Sequence, residues 1–305
     1  MITISKNNLD EIKQVCSIAK TKSPLEILQN VMIDAVANQL HLTASNLEIE
    51  ITRSIEAQTD SEFKTTVNAQ KFNQAIAACG ESIKIEQVDG ALQIKSGRKR
   101  FKLPTIEADN FPALPEFKEM QTLDIDSLEL AQLTKSVAFA SAVNDVRFIL
   151  NGVYVGQHIV GTDGHRMSWI DANLDCDLII PRESVNAMPE IGGGKVYYNN
   201  NILALEFNDM QFKMKLIDGK FVTYQRLIPE YDKSIAVNKS ELIDSIKSAM
   251  ITANEKSRAV AFKFGGDEST VKSKSGTGHD SEIGFAADCA EEIEMAINSD
   301  YLLAA

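Results

Sequence analysis

The sequence predicts an α+β protein built from tandem similar domains, each a helix followed by antiparallel sheet. Three observations carry this. A capped, amphipathic helix start occurs three times, at Asn7, Asp126 and Asn238, spaced 119 and then 112 residues apart. Behind each start, apolar and polar residues alternate through runs bounded by Asn, Asp and Gly, the pattern of half-buried antiparallel strands. The chain has 305 residues, 44% of them hydrophobic, which suffices for two or three cores.

In module one, ISKNNLDEIKQVCSIA (4–19) sets Asn7 three residues before Asp10. The amide side chain can accept from first-turn N–H groups, and the acid complements the helix dipole. Leu9, Ile12, Val15, Cys16 and Ala19 then recur at helical spacing. NVMIDAVANQLHLTASNLEIEITRSI supplies strands and TTVNAQKFNQAIAACG a second helix. SIKIEQVDG, ALQIKSG and RKRFKLPTI supply further strands before EADNFPAL closes the module.

Module two repeats the plan. IDSLELAQLTKSVAFA (125–140) has the cap pair Asp126 and Glu129, followed by FILNGVYVGQHIVGTDGHRMSWIDA as strands and IIPRESVNAMPEIGGG as the second helix. KVYYNNN, ILALEFND and MQFKMKLID are strands, and GKFVTYQRLIP closes the module. In module three, VNKSELIDSIKSAMIT (237–252) has the cap pair Asn238 and Glu241, and VAFKFGGDESTVKSKSGTGHDSEIGFAA gives strands. AINSDYLLAA then matches only the start of a second helix. The expected domains are 1–120, 121–232 and 233–305, the third incomplete by roughly 45 residues on the repeat period. Either the chain is a fragment or the protein tolerates half a domain.

Composition narrows the function. No run of about 18 apolar residues is present, and MITISKNNLDEIKQ lacks the apolar stretch of a secretory signal. A cytoplasmic protein without membrane contact is expected. Cys16, Cys79, Cys176 and Cys289 are far apart, as are His41, His158, His165 and His279, with no ligand spacing for a metal and no disulfide framework. The formal charge of −12 argues against gripping nucleic acid chiefly by neutralising phosphates. Charge is nevertheless clustered. KSGRKRFK (95–102) holds five basic residues and HDSEIGFAADCAEEIE (279–294) six acidic ones. These are either solvated strand edges or segments that attract one another, within a chain or between chains.

VGTDGHRMSWI (160–170) invites a catalytic reading, since Asp163 and His165 are two apart. An Asp-His pair alone only orients an imidazole; chemistry also needs a nucleophile, a metal or an oxyanion donor, and the sequence names none. As a metal half-site the pair lacks an evident third ligand. The segment aligns within the repeat to ASNLEIEI and SGTGHDSEI, which points to a turn, with His165 packed at a domain boundary. EIGGGKV (190–196) lacks the glycine spacing and the hydroxyl residue of a phosphate loop and reads as a helix-to-strand turn.

NDVRFILNG, TDGHRM, LIDGKFVTYQRLIP and NEKSRAV, with SPLEILQN and SGRKRFKLPTIEADNFPAL in module one, closely resemble the bacterial DNA polymerase III beta subunit, the sliding clamp. The resemblance runs the length of the chain. It implies the DNA-clamp fold, in which two head-to-tail subunits form a ring with helices lining a central hole and antiparallel sheets outside. It implies a non-catalytic processivity factor that encircles duplex DNA and tethers the replicative polymerase, the clamp loader and repair proteins through short peptide motifs, with no cofactor. A clamp-like partner-binding or decoy protein that does not encircle DNA is the alternative.

Carried over position by position, the resemblance implies a peptide-binding pocket of Leu150, Thr162, Gly164, His165, Arg166, Met167, Val222, Arg226 and Leu227. Val222 stands where the family commonly has proline. DNA-facing residues would be Lys22, Lys71, Lys135, Asn144, Arg147, Phe148 and Lys247. The homodimer interface would join Arg98, Arg100, Phe101 and Leu103 to Ile251, Thr252, Asp280 and Glu282, so that the two charge clusters meet in a heterologous contact.

Overall fold

The computed structural model describes residues 1–115, 120–230, 233–266 and 268–305. The expected boundary at 232–233 adjoins residues 231–232, which lie outside the described residues. Module one runs β1 (Ile2–Ser5), α1 (Leu9–Ile18), β2 (Asn30–Val36), β3 (Gln39–Ser45), β4 (Ile49–Glu56), β5 (Gln58–Thr59), β6 (Phe63–Asn68), α2 (Ala69–Ala77), β7 (Ser82–Val88), β8 (Ala91–Ser96) and β9 (Lys99–Ile106). Module two runs β10 (Gln121–Leu123), α3 (Ser127–Ala138), β11 (Gly152–Val155), β12 (His158–Thr162), β13 (Met167–Asp171), β14 (Leu178–Pro181), α4 (Arg182–Ala187), β15 (Lys195–Tyr198), β16 (Ile202–Glu206) and β17 (Met210–Lys215). Module three runs β18 (Ile235–Val237), α5 (Lys239–Met250), β19 (Ala259–Phe264), β20 (Ser269–Lys274), β21 (Asp280–Phe285), β22 (Ala287–Cys289), β23 (Ile293–Asn298) and α6 (Ser299–Leu303).

The same four-strand, all-antiparallel order occurs three times: β4-β3-β2-β6, β13-β12-β11-β14 and β21-β20-β19-β23. In each, the strand after the hairpins returns beside the first and leads directly into the second helix. By sequence alone TTVNAQKFNQAIAACG, IIPRESVNAMPEIGGG and AINSDYLLAA are expected to lie wholly in helices. The structure corrects this, because their first residues are β6, β14 and the end of β23. Thr65, Thr66 and Val67 are β-branched and buried in the β6 ladder, which favours strand over helix. The helix begins only where Asn68 or Asn298 accepts from a first-turn amide.

The caps of the first helices are equally physical. Asp126 accepts from the Leu128 amide and Asn238 from the Glu241 amide. Asn7 does not cap α1: Ser5 accepts from the Asn7 amide, the N-cap position is Asn8, and the Asn8 amide group donates to Glu11 at 2.7 Å.

Two compact units result, Met1–Phe221 and Val222–Ala305. Unit one has a continuous core including Ile12, Val15, Ile33, Leu42, Phe72 and Ile85 from module one and Leu130, Val153, Ile180 and Phe212 from module two. Gly161 is required there, since a Cβ would meet the Val137 carbonyl oxygen of α3 at 2.3 Å. Unit two packs Ile246 and Ala249 of α5 on Val260, Phe262, Val271 and Phe285.

Modules one and two share a sheet because β17 pairs antiparallel with β4, from Met210 opposite Arg53 to Met214 opposite Ile49. At the centre of that junction Glu50 is directly opposite Lys213, and the two form a buried ion pair at 2.9 Å. The other Glu50 oxygen accepts from the Leu114 amide at 2.7 Å. Arg53 closes the end of the junction on Asp209 at 3.0 Å. A carboxylate and an ammonium are tolerated in such surroundings only when paired and hydrogen-bonded.

Candidate functional site

The turn between β12 and β13 is held by its own side chains. Asp163 Oδ1 accepts from the amides of His165 (2.9 Å) and Arg166 (3.0 Å), and its Oδ2 accepts from Arg166 Nε at 3.1 Å. Thr162 Oγ1 accepts from the Gly164 amide and donates to the Arg166 carbonyl at 2.6 Å. Gly164 has φ +86, which glycine adopts without strain. The Asp163 carboxylate is therefore consumed by backbone and guanidinium, and the arrangement is that of an Asx turn. It does not orient the imidazole. His165 is exposed, which corrects the expectation that it packs at a boundary.

Arg166 reaches back to the Phe139 carbonyl at 2.8 Å and lies over the Phe139 ring, 5.5 Å from its centre. Met167 is half-buried. Leu150 is 1% exposed, so it can support a ligand surface only from beneath. Val222, Arg226 and Leu227 belong to the second compact unit; all three side chains are exposed there, Leu227 at 68%.

The structure joins two groups that the sequence kept apart. Arg147, expected at DNA, donates to the Asp163 carbonyl at 3.1 Å and lies against Gly164. It also grips Asp145 through Nε (3.0 Å) and Nη2 (2.8 Å), and these bonds hold the Asp145 carboxyl down to about 2. Asn151 secures the loop by bonding both the amide and the carbonyl of Asp145 at 2.9 Å. On this braced loop Asn144, at φ +56, is exposed. Val143, Val146 and Phe148 expose 68%, 96% and 60% of their surfaces, a concentration of apolar groups at one loop tip.

Of the remaining DNA-facing candidates, Lys22, Lys71 and Lys247 are exposed. Lys135 is not a free cation: its Nζ donates to Glu190 at 2.7 Å and to the Met188 carbonyl. Among the described residues no His, Cys, Asp and Glu cluster is arranged to hold a metal, and no helix is long and apolar enough to cross a membrane.

The interface candidates occupy two strand edges. β9 pairs with β8 over Lys99–Pro104 and with β6 at Thr105 and Ile106, so among the described residues Lys99–Pro104 has no partner on its other side. Arg98 and Arg100 are exposed, while Phe101 and Leu103 are half-buried. Among the described residues β21 pairs only with β20, leaving one edge open beside exposed Asp280 and Glu282. Glu282 is 2.8 Å from Lys272. Ile251 is 84% exposed, whereas the Thr252 hydroxyl is tied to Ser273 and Ser281 at 2.7 Å.

The Glu50–Lys213 junction escaped the sequence reading. In EIEI and FKMK the charged residues alternate with buried Ile49, Ile51, Phe212 and Met214, which marks the charged face of each strand but not which strands pair.

Comparison with known proteins gives a consistent result. Residues 1–115, 124–222 and 225–305 match the N-terminal, central and C-terminal domains of the DNA polymerase III beta subunit. A beta sliding clamp of Vibrio cholerae is 28% identical over 325 residues, covering 99% of this chain and 88% of its own length. The crystal structure of the DNA polymerase III subunit beta from Pseudomonas aeruginosa superposes with a TM-score of 0.89 at 26% identity, over 99% of this chain and 89% of that one. A sliding clamp from Bartonella birtlesii bound to griselimycin gives a TM-score of 0.90 at 26% identity, over 99% and 88%.

Proposed function

The chain belongs to the DNA polymerase III beta subunit family and is a DNA sliding clamp, a processivity factor that catalyses no reaction; from that premise we propose how it closes and which residues meet its partners. The chain has three domains, 1–120, 121–232 and 233–305, and two chains pair head to tail around duplex DNA. The observation that carries closure is the β17–β4 junction, which serves as a template for the contact between chains.

The equivalences follow from register. Ser96 opposite Lys99 in the β8–β9 hairpin matches the Phe207–Met210 closure of β16–β17, so Lys102 takes the place of Lys213 and Arg100 that of Gln211. In the other partner, Val31 opposite Val67 matches Val260 opposite Ile297. Ile33 opposite Leu42 matches Phe262 opposite Val271, and Leu42 opposite Arg53 matches Val271 opposite Ile283. Asp280 therefore takes the place of Glu50, and Glu282 that of Thr52. Pairing β9 with β21 of a second chain in the β17–β4 register sets Lys102 opposite Asp280 and Arg100 opposite Glu282.

Both pairs join opposite charges across adjacent strands, which stabilises that register. Edge-to-edge pairing also satisfies the open backbone groups of both strands. Lys22, Lys71, Asn144, Arg147, Phe148 and Lys247 face DNA in this reading. The Thr162–Met167 turn, with exposed His165 beside half-buried Met167, offers a surface for short peptide motifs. In support, a family relative was crystallised with griselimycin bound.

A charge-reversal cycle tests closure. Lys102→Asp and Asp280→Lys alone should each raise the dimer dissociation constant by roughly tenfold or more, and together should restore it, as read by sedimentation equilibrium. A monomeric parent chain at micromolar concentration overturns the ring, and singles without effect overturn the register.

A further inference from the structure

A cavity of about 240 Å³ lies in unit one where module one meets module two. Its module-one wall is the turn between β3 and β4, contributing Asn46, Glu48 and Ile49. That turn shares three side-chain-to-backbone bonds with the Thr162–Met167 turn. Asn46 Oδ1 accepts from the amides of Glu48 (3.0 Å) and Ile49 (2.7 Å), as Asp163 does from His165 and Arg166. Ser45 Oγ accepts from the Leu47 amide as Thr162 does from Gly164, and Leu47 shares the left-handed backbone with φ +76. The same scaffold thus carries Glu48 and Ile49 where the second carries His165 and Arg166.

The module-two wall brings apolar Val143, Pro181 and Ile217 together with polar Asn144 and Asn151, leaving room for one aliphatic side chain. Ser184 also lines it, at 1% exposure, and its hydroxyl has no hydrogen-bond partner among the described residues. A buried hydroxyl without a partner is costly, and a peptide backbone group entering the cavity would satisfy it. At the mouth Glu183 and Glu48 are exposed. The opposing Arg182 guanidinium is turned onto the Ser141 carbonyl at 2.7 Å, and Lys215 lies 3.6 Å from Glu48.

We propose that this cavity is a second linear-peptide site, selective for an aliphatic anchor next to a cationic residue. The aliphatic side chain fills the space beside Ile49 and Ile217, while the cation meets Glu183 and Glu48. It is second only in that the Thr162–Met167 turn is read as a peptide surface; the cavity and the Ser184 hydroxyl stand independently of that reading.

Methyl NMR of the full chain, labelled at isoleucine and methionine so that Met167 reports on the Thr162–Met167 turn, tests the proposal with acetyl-Leu-Lys-amide as probe and acetyl-Leu-Glu-amide as control. The Ile49 and Ile217 methyls should shift saturably with the lysine probe, which should bind roughly fivefold or more tightly than the glutamate one. Ser184→Ala and Glu183→Gln should each weaken binding by about threefold to tenfold; Glu48→Gln, at an exposed position, guards against a folding artefact and should weaken it likewise. The proposal is overturned if neither methyl responds up to the solubility limit, if the glutamate probe binds equally or better, or if the variants bind as the parent does. If Ile49 and Ile217 respond while no peptide perturbs the Thr162–Met167 turn, the earlier reading of that turn fails and this one stands.

Discussion

Replacing Lys213 by alanine probes the junction between modules one and two. The side chains of Lys213 and Glu50 retain only 10% and 4% of their exposure, and they lie 2.9 Å apart. Removing the ammonium leaves the Glu50 carboxylate buried with the Leu114 amide as its remaining support. Stranding one member of a buried pair destabilises by about 3–5 kcal/mol. In a unit of this size each kcal/mol moves the midpoint by about 2–4 °C, so the transition of Met1–Phe221 should fall by about 6–20 °C. Differential scanning calorimetry can follow it separately from unit two, whose own core should melt unchanged. The control is the double substitution Glu50→Gln with Lys213→Met. Removing both charges together is far milder than removing one, because no uncompensated ion remains. A single-variant shift below about 1 kcal/mol, or a double variant as unstable as the single, would refute the reasoning.

Other consequences are equally direct. Gly161→Ala drives a Cβ into the Val137 carbonyl at 2.3 Å and should lower the stability of unit one by about 2 kcal/mol or more in urea titrations. Asp163→Asn should be mild and Asp163→Ala severe for the turn, since Asn46 performs the same backbone capping in module one; amide exchange at His165 and Arg166 reports this, and equal exchange in both variants would contradict it. Burial pushes the Cys16 thiol up to about 12 and that of Cys176 to about 11. Raised folded values mean stabilisation that is complete below the unfolded thiol value near 9 and is lost as pH climbs toward 11–12. Stability should therefore decline with alkali above about pH 9, and Cys16→Ser should flatten the decline. An unchanged slope would argue that other groups set it.

Much of this architecture was legible because repetition amplifies weak signals. A single Asx-plus-acid cap is ambiguous, but Asp126 and Asn238 recur at the head of similar apolar stripes, and both cap as expected. Asn7 misled because Ser5 and a short turn precede the helix, shifting the N-cap to Asn8. The helix and strand in TTVNAQKF merged because the cap residue, Asn68, lies inside the segment and no turn separates the two periods. At the site, the turn around Asp163 was readable from its Thr-Asp-Gly chemistry. The bracing of that turn by Arg147 was not, since sixteen residues and a change of element separate Arg147 from the Asp163 carbonyl. Long-range pairs such as Glu50 with Lys213 depend on which strands become neighbours, and local patterning cannot encode that.

Retention on DNA of defined topology tests the central claim most directly. Protein assembled on closed circular duplex should stay with it through gel filtration in salt high enough to screen surface contacts, and a single cut that linearises the circle should release it. Lys102→Asp should abolish retention, and adding Asp280→Lys should restore it. Retention that is indifferent to the cut, or that tracks salt alone on circle and linear duplex alike, would contradict encirclement.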